Sequence, residues 1–247
     1  MKKFFIALQF LTSLPVKIKA QIPDKEFAES MAYFPLVGLL MGLALALAYN
    51  IFNLIFPHSI NCALILILNI VLTGGLHMDG FIDTFDGIAS RGDKKEILKI
   101  MREGRPGAIG VSAAILLFLL KYSLLVSLPK EAIGPSLVAM TTLSRWTLVV
   151  SSGLYPYARE GEGLGRKFVQ GLGLKEGFIS TAVALLIAFL VFELRIFILV
   201  PLVFCALVGF NSYLHKRIGG ITGDTLGALN ELIEVLILML TFILIKR

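Results

Sequence analysis

Apolar residues in this chain come in long runs separated by short polar punctuation, and most of the runs are long enough to be read as membrane helices. A helix needs roughly 20 apolar residues to cross a bilayer. On that length, spans are expected at roughly 33–56, 60–76, 109–128, 133–154, 178–192, 196–214 and 229–245, the fifth being short. The run from Phe4 to Leu14 is shorter still. It follows Lys2 and Lys3, is interrupted by Pro15, Lys17 and Lys19, and lacks a small-x-small cleavage site. It predicts an amphipathic helix lying in the membrane interface. The pattern therefore predicts an all-α, polytopic transmembrane bundle of about seven spans with an N-terminal interfacial helix. Residues 1–247 form one integral-membrane domain on this reading.

Charge orients the bundle. Residues 88–108 carry Arg91, Lys94, Lys95, Lys99, Arg102 and Arg105, the strongest cytoplasmic signal in the chain. The connection Pro57-His58-Ser59 has no Lys or Arg and is expected outside. Residues 155–177, with Arg159, Arg166, Lys167 and Lys175, and residues 215–224, with Lys216 and Arg217, fall on the cytoplasmic side with the N-terminus. Seven spans would leave Lys246 and Arg247 outside, against the rule, so either one span is re-entrant or the short tail is tolerated.

Composition agrees: of 247 residues 57% are hydrophobic and 16% charged, where soluble domains average about half and a quarter. The net charge of +6 is accounted for by the basic cytoplasmic loops, so no nucleic-acid partner is inferred. Cys62 and Cys205 lie in apolar segments without metal or disulfide spacing. No internal repeat of the kind found in transporters is visible, and the glycine-rich 155–177 loop lacks Walker spacing.

Against this background two acidic clusters stand out. In "GGLHMDGFIDTFDG", residues 74–87, a helix would place Asp79, Asp83 and Asp86 at i, i+4 and i+7, within an arc of about 60°. Like charges at that spacing destabilise a helix, and desolvation near a membrane adds to the cost. A cation relieves both, and a cluster of carboxylate oxygens suits Mg²⁺ or Mn²⁺. In "GGITGDTLGALNELIEV", residues 219–235, Asp224 and Glu231 are again i and i+7, with Glu234 further round. Both clusters fall on the same side of the membrane, so a shared metal site of Asp79, Asp83, Asp86, Asp224 and Glu231 is expected. Lys121 and Arg145 lie mid-span, where a cation usually faces the bundle interior and a partner. With Arg102 and Arg105 in "MREGRPG" they form a candidate set for binding substrate phosphates.

These residues also carry a family resemblance. "TGGLHMDGFIDTFDG" (73–87), "MREGRPGAIG" (101–110), "YAREGEGLG" (157–165) and "GGITGDTLGALNE" (219–231) resemble the signature segments of cobalamin synthase, the adenosylcobinamide-GDP ribazoletransferase family. "LTSLPV" (11–16) and "FPLVGLLMG" (34–42) are also similar, so the likeness runs through nearly the whole chain. It implies a Mg²⁺-dependent enzyme of the bacterial or archaeal inner membrane, with its active site facing the cytoplasm. Such an enzyme joins adenosylcobinamide-GDP to α-ribazole, or its 5′-phosphate, and releases GMP. The family is akin in chemistry to CDP-alcohol phosphotransferases. The motif falls on Asp79, Asp83 and Asp86 with His77 beside them, and Asp224 and Glu231 match in the last segment.

A ribose hydroxyl must then attack the phosphorus next to the cobinamide arm, and Asp86 or His77 is expected to take its proton, with Asp83 part of the catalytic set. Two rivals remain in view. A CDP-alcohol phosphotransferase proper would need DxxDGxxAR, where this chain reads HMDGFIDTFDG. A cation- or proton-coupled transporter would need acids near the bilayer midplane, not at span ends. Expected partners are the two small-molecule substrates and the lipid bilayer, and an oligomer is compatible with the sequence.

Overall fold

The computed structural model describes residues 2–16, 18, 22–160 and 164–245. Among them the chain is helical throughout; the one β-type feature is an isolated parallel bridge between Tyr157 and Ile221. Twelve α-helices follow in order: α1 (Lys2–Leu11), α2 (Asp24–Glu29), α3 (Phe34–Phe52), α4 (His58–Thr73), α5 (Leu76–Ala89) and α6 (Lys94–Glu103). Then come α7 (Ala108–Ser127), α8 (Lys130–Leu154), α9 (Leu164–Gly171), α10 (Leu174–Phe192), α11 (Ile196–Ile218) and α12 (Gly223–Ile245).

At the centre lies α8, which packs on α3, α10 and α12. It is buried on nearly every side, although it carries Thr141, Thr142, Ser144, Arg145 and Thr147. Gly38 and Gly42, one turn apart on α3, let the two backbones close up. A Cβ at Gly42 would stand 2.5 Å from the Val138 Cα, and Thr141 donates its hydroxyl to the Gly38 carbonyl at 2.6 Å. This is the small-residue packing that helices use where no hydrophobic force separates lipid from partner.

Four helical stretches are long and apolar enough to cross a membrane, or five if the bent α4–α5 pair is one span, which is fewer than the seven expected. Two physical reasons account for the difference. The polar side chains of α8 lower its hydropathy below that of a lipid-facing helix, because its surroundings are protein. The segments read as a fifth and a sixth span form one apolar stretch, Leu174–Ile218, interrupted by a short 3-10 turn at Glu193–Arg195. On the outer surface Leu47, Leu116, Leu186, Leu190 and Phe197 are each more than half exposed, a surface suited to hydrocarbon rather than water.

As expected, α1 is short and amphipathic. It buries Ile6, Ala7 and Leu11, and pairs Lys2 with Glu26 and Lys3 with Glu29. The C-terminal Lys246 and Arg247, whose placement was expected to break the charge rule, lie outside the described residues.

Candidate active site

Positive-φ glycines make the decisive turn. Gly74 (φ 60°) and Gly75 (φ 75°) end α4 in the left-handed region, which only glycine adopts without strain. The chain then bends by 91° into α5. The predicted helix over the acidic segment is therefore real but set crosswise to α4, at one end of the bundle.

There α5 meets the start of α12. A Cβ on Gly80 would stand 2.8 Å from both the Asp224 Cα and its carbonyl oxygen, and one on Gly227 would stand 3.0 Å from the His77 carbonyl. Glycine at both positions lets the two backbones touch, which carries Asp224 to the α5 acids. The start of α12 is held by Thr222 and Thr225, each of whose backbone N–H groups donates to the other's hydroxyl at 2.7 and 3.2 Å, a reciprocal N-terminal cap. Asp224 is paired with Arg159. That arginine is delivered by the Tyr157–Ile221 bridge, in which the Ala158 N–H donates to the Ile221 carbonyl at 2.8 Å and the Ile221 N–H to the Pro156 carbonyl at 2.9 Å. Electrostatically Asp83 feels Asp79, Asp224 and Asp86 as like charges and Arg159 as the opposing one.

The other expected residues are sorted differently. Asp86 accepts N–H groups from Gly107 at 2.6 Å and Gly110 at 2.8 Å, one on each carboxylate oxygen. It thus caps the N-terminus of α7 from a neighbouring helix. Asp86, expected as a metal ligand and base, is held by one N–H on each oxygen. His77 is 3% exposed, and among the described residues nothing pairs with its Nε2. It faces a small cavity that Asp79 and Asp224 also line.

Glu231 is paired inside the bundle. Lys121 Nζ stands 2.6 Å from Glu231 and 2.7 Å from Glu234, and Arg145 pairs with Glu234. Asn230 and Asn69 donate to the same Glu234 carboxylate at 3.1 and 3.3 Å. Two cations and two carboxylates, all inside the bundle, neutralise one another. Metal binding was expected of Glu231 and phosphate binding of Lys121 and Arg145; in this structure the four buried charges supply one another's partners.

Arg102 lies on an open face of the molecule. It lines a wide groove of about 510 Å³ with Lys94, Lys95, Lys99 and Arg159. Arg105 is exposed on the α6–α7 connection and does not line that groove. Beneath the groove α6 is anchored by Ile97 and Met101, which pack on Leu214, Ile218 and Ala158. Arg159 is the residue beside the acids that sequence reasoning missed, having been counted only as a loop charge; its place within "YAREGEGLG" was the available signal.

Among the described residues no three His, Cys, Asp or Glu side chains close into a ready-made metal cage. The donors nevertheless suit a hard cation. Mg²⁺ is usually held by one or two carboxylates plus substrate phosphate and water, and Asp79, Asp83 and Asp224 offer oxygen ligands beside a basic groove.

No solved structure matches the chain. Curated proteins from Thermoanaerobacter pseudethanolicus (36% identical; 95% of this chain, 94% of that one) and Acetivibrio thermocellus (33%; 98% of each) are both named adenosylcobinamide-GDP ribazoletransferase. A third of the same name, from Desulfitobacterium hafniense, is 36% identical over 98% of this chain and 97% of its own. The family model for cobalamin-5-phosphate synthase matches residues 3–242, and on that match the chain belongs to the cobalamin-5-phosphate synthase family.

Proposed function

We propose that this chain joins adenosylcobinamide-GDP to α-ribazole, or its 5′-phosphate, and releases GMP on the cytoplasmic side of the membrane. The observation that carries the reading is the contact of Gly80 with the Asp224 backbone. It brings carboxylates from two distant segments together beside a groove of lysines and arginines.

In this scheme a ribose hydroxyl oxygen forms a bond to the phosphorus that bears the cobinamide arm. The bond from that phosphorus to the bridging oxygen of the diphosphate breaks, and the electron pair leaves with GMP. With Asp86 engaged by two backbone N–H groups, a carboxylate oxygen of Asp83 takes the hydroxyl proton. Lys94, Lys95, Lys99 and Arg102 bind the nucleotide phosphates. Arg159 holds Asp224 in place and faces the charge that develops on the leaving group. Asp79, Asp83 and Asp224 would hold a divalent cation, Mg²⁺ or Mn²⁺, which when bound neutralises the diphosphate.

The test uses the full chain in lipid vesicles with adenosylcobinamide-GDP, α-ribazole 5′-phosphate and Mg²⁺, read as GMP release. Release that needs the cation and disappears in Asp83→Asn, with the variant still folded, supports the proposal. A folded wild-type preparation that releases no GMP overturns it.

A further inference from the structure

Beside the acids, at the N-terminal end of α12, lies a second cavity, of about 200 Å³. Its walls are Phe10, Phe34, Phe168, Met31, Leu148 and Leu226, from α1, α3, α9, the turn before α3, α8 and α12. Phe168 is the hub of the aromatic wall, with ring centres 4.7 Å from Phe10 and 5.5 Å from Phe34, and Phe27 stacked behind it at 4.3 Å. The polar side chains that line the cavity are His77, Asp79 and Asp224. Glycines 80, 165, 223 and 227 line the same end, so the backbone there stands close to anything bound.

We propose that this cavity receives the flat, apolar base of the nucleoside substrate, placing its ribose at Asp79 and Asp224. The proposal rests on the function given above and specifies where one substrate sits. Three observations support it. The volume lies below the roughly 300–1,000 Å³ of pockets for drug-sized ligands: it suits one bicyclic ring and excludes a corrin macrocycle. The walls are aromatic and aliphatic, and aromatic side chains are the surfaces on which bases stack. A dimethylbenzimidazole has methyl groups and a single ring acceptor at its edge and loses little hydration in such walls. Guanine would leave its carbonyl and ring acceptors facing phenylalanine and leucine without partners, which is costly. Two of the three acids of the proposed reaction, Asp79 and Asp224, also line the cavity, so a ring held there brings its sugar to the acidic site.

Two variants test this: Phe168→Ala, and Phe168→Leu, which removes the ring face while keeping most of the volume. The first readout is binding of α-ribazole and of free 5,6-dimethylbenzimidazole to the vesicle-embedded chain by equilibrium dialysis, with no second substrate present. The second is the KM for each substrate separately. We expect both probes to bind the wild type and to weaken about tenfold in both variants, the scale of one lost stacking partner. The KM for α-ribazole should rise in parallel while that for adenosylcobinamide-GDP stays within about twofold.

Competition of dimethylbenzimidazole by GMP, or a rise confined to the KM of the GDP substrate, would overturn the assignment in favour of guanine and leave the reaction standing. Failure of the wild type to bind either probe would overturn it as well. Failure to release GMP while dimethylbenzimidazole still binds in a Phe168-dependent way would overturn the reaction and leave the ring site.

Discussion

Replacing Glu234 by Gln should unsettle the whole bundle rather than the chemistry. Its carboxylate accepts from Lys121, Arg145, Asn69 and Asn230, and neither it nor Arg145 is exposed at all. Glutamine removes the negative charge and turns an amide NH₂ toward some of those donors. The interior is left with two cations against the single carboxylate of Glu231. Removing one partner of a buried pair typically costs about 3–5 kcal/mol. For a chain of this size that corresponds to a fall in Tm of roughly 6–20 °C, measurable by thermal unfolding in detergent. The double variant Glu234→Gln with Arg145→Met restores neutrality and should recover most of the loss, whereas independent sites would show additive losses. Glu231→Gln should also lower Tm but leave the Mg²⁺ concentration needed for half-maximal activity unchanged, since its partner is Lys121. A Tm for Glu234→Gln within about 2 °C of wild type, less than the effect of a 1 kcal/mol loss, would refute the neutral-quartet argument.

Three further outcomes follow from the site. Asp86→Ala leaves the Gly107 and Gly110 N–H groups unpaired and should cost about 1–3 kcal/mol by thermal unfolding; Asp86→Asn, which keeps one acceptor, should cost less. Loss of activity at unchanged stability would return Asp86 to the chemistry. Arg159→Met should lower kcat about tenfold or more and, because its pair with Asp224 is largely buried, should also lower Tm; full activity in this variant would remove Arg159 from the site. Gly80→Ala drives a methyl group into the Asp224 backbone and should reduce turnover sharply, read as GMP release. Retained turnover would mean that the α5–α12 contact does not set the site.

Much of this protein is legible along the chain because helices and membrane segments are local. The apolar runs mark α3, α4, α7, α10, α11 and α12, and the i, i+4, i+7 spacing of Asp79, Asp83 and Asp86 describes a helix, α5, that does form. Periodicity cannot tell what each acid faces. Asp86, one turn beyond Asp83, meets two amide groups of α7, while Glu231 and Glu234 meet cations 110 and 89 residues away in sequence. Arg159 reaches Asp224 from a loop pinned by the isolated Tyr157–Ile221 bridge. Charge burial is settled across helices: each ionised group inside the bundle must find its counter-charge there, and which partner it finds depends on how the helices cross. The chain's local pattern determined the helices and the acidic face of α5. The tertiary crossing decided which acids neutralise the interior and which stand together beside the basic groove.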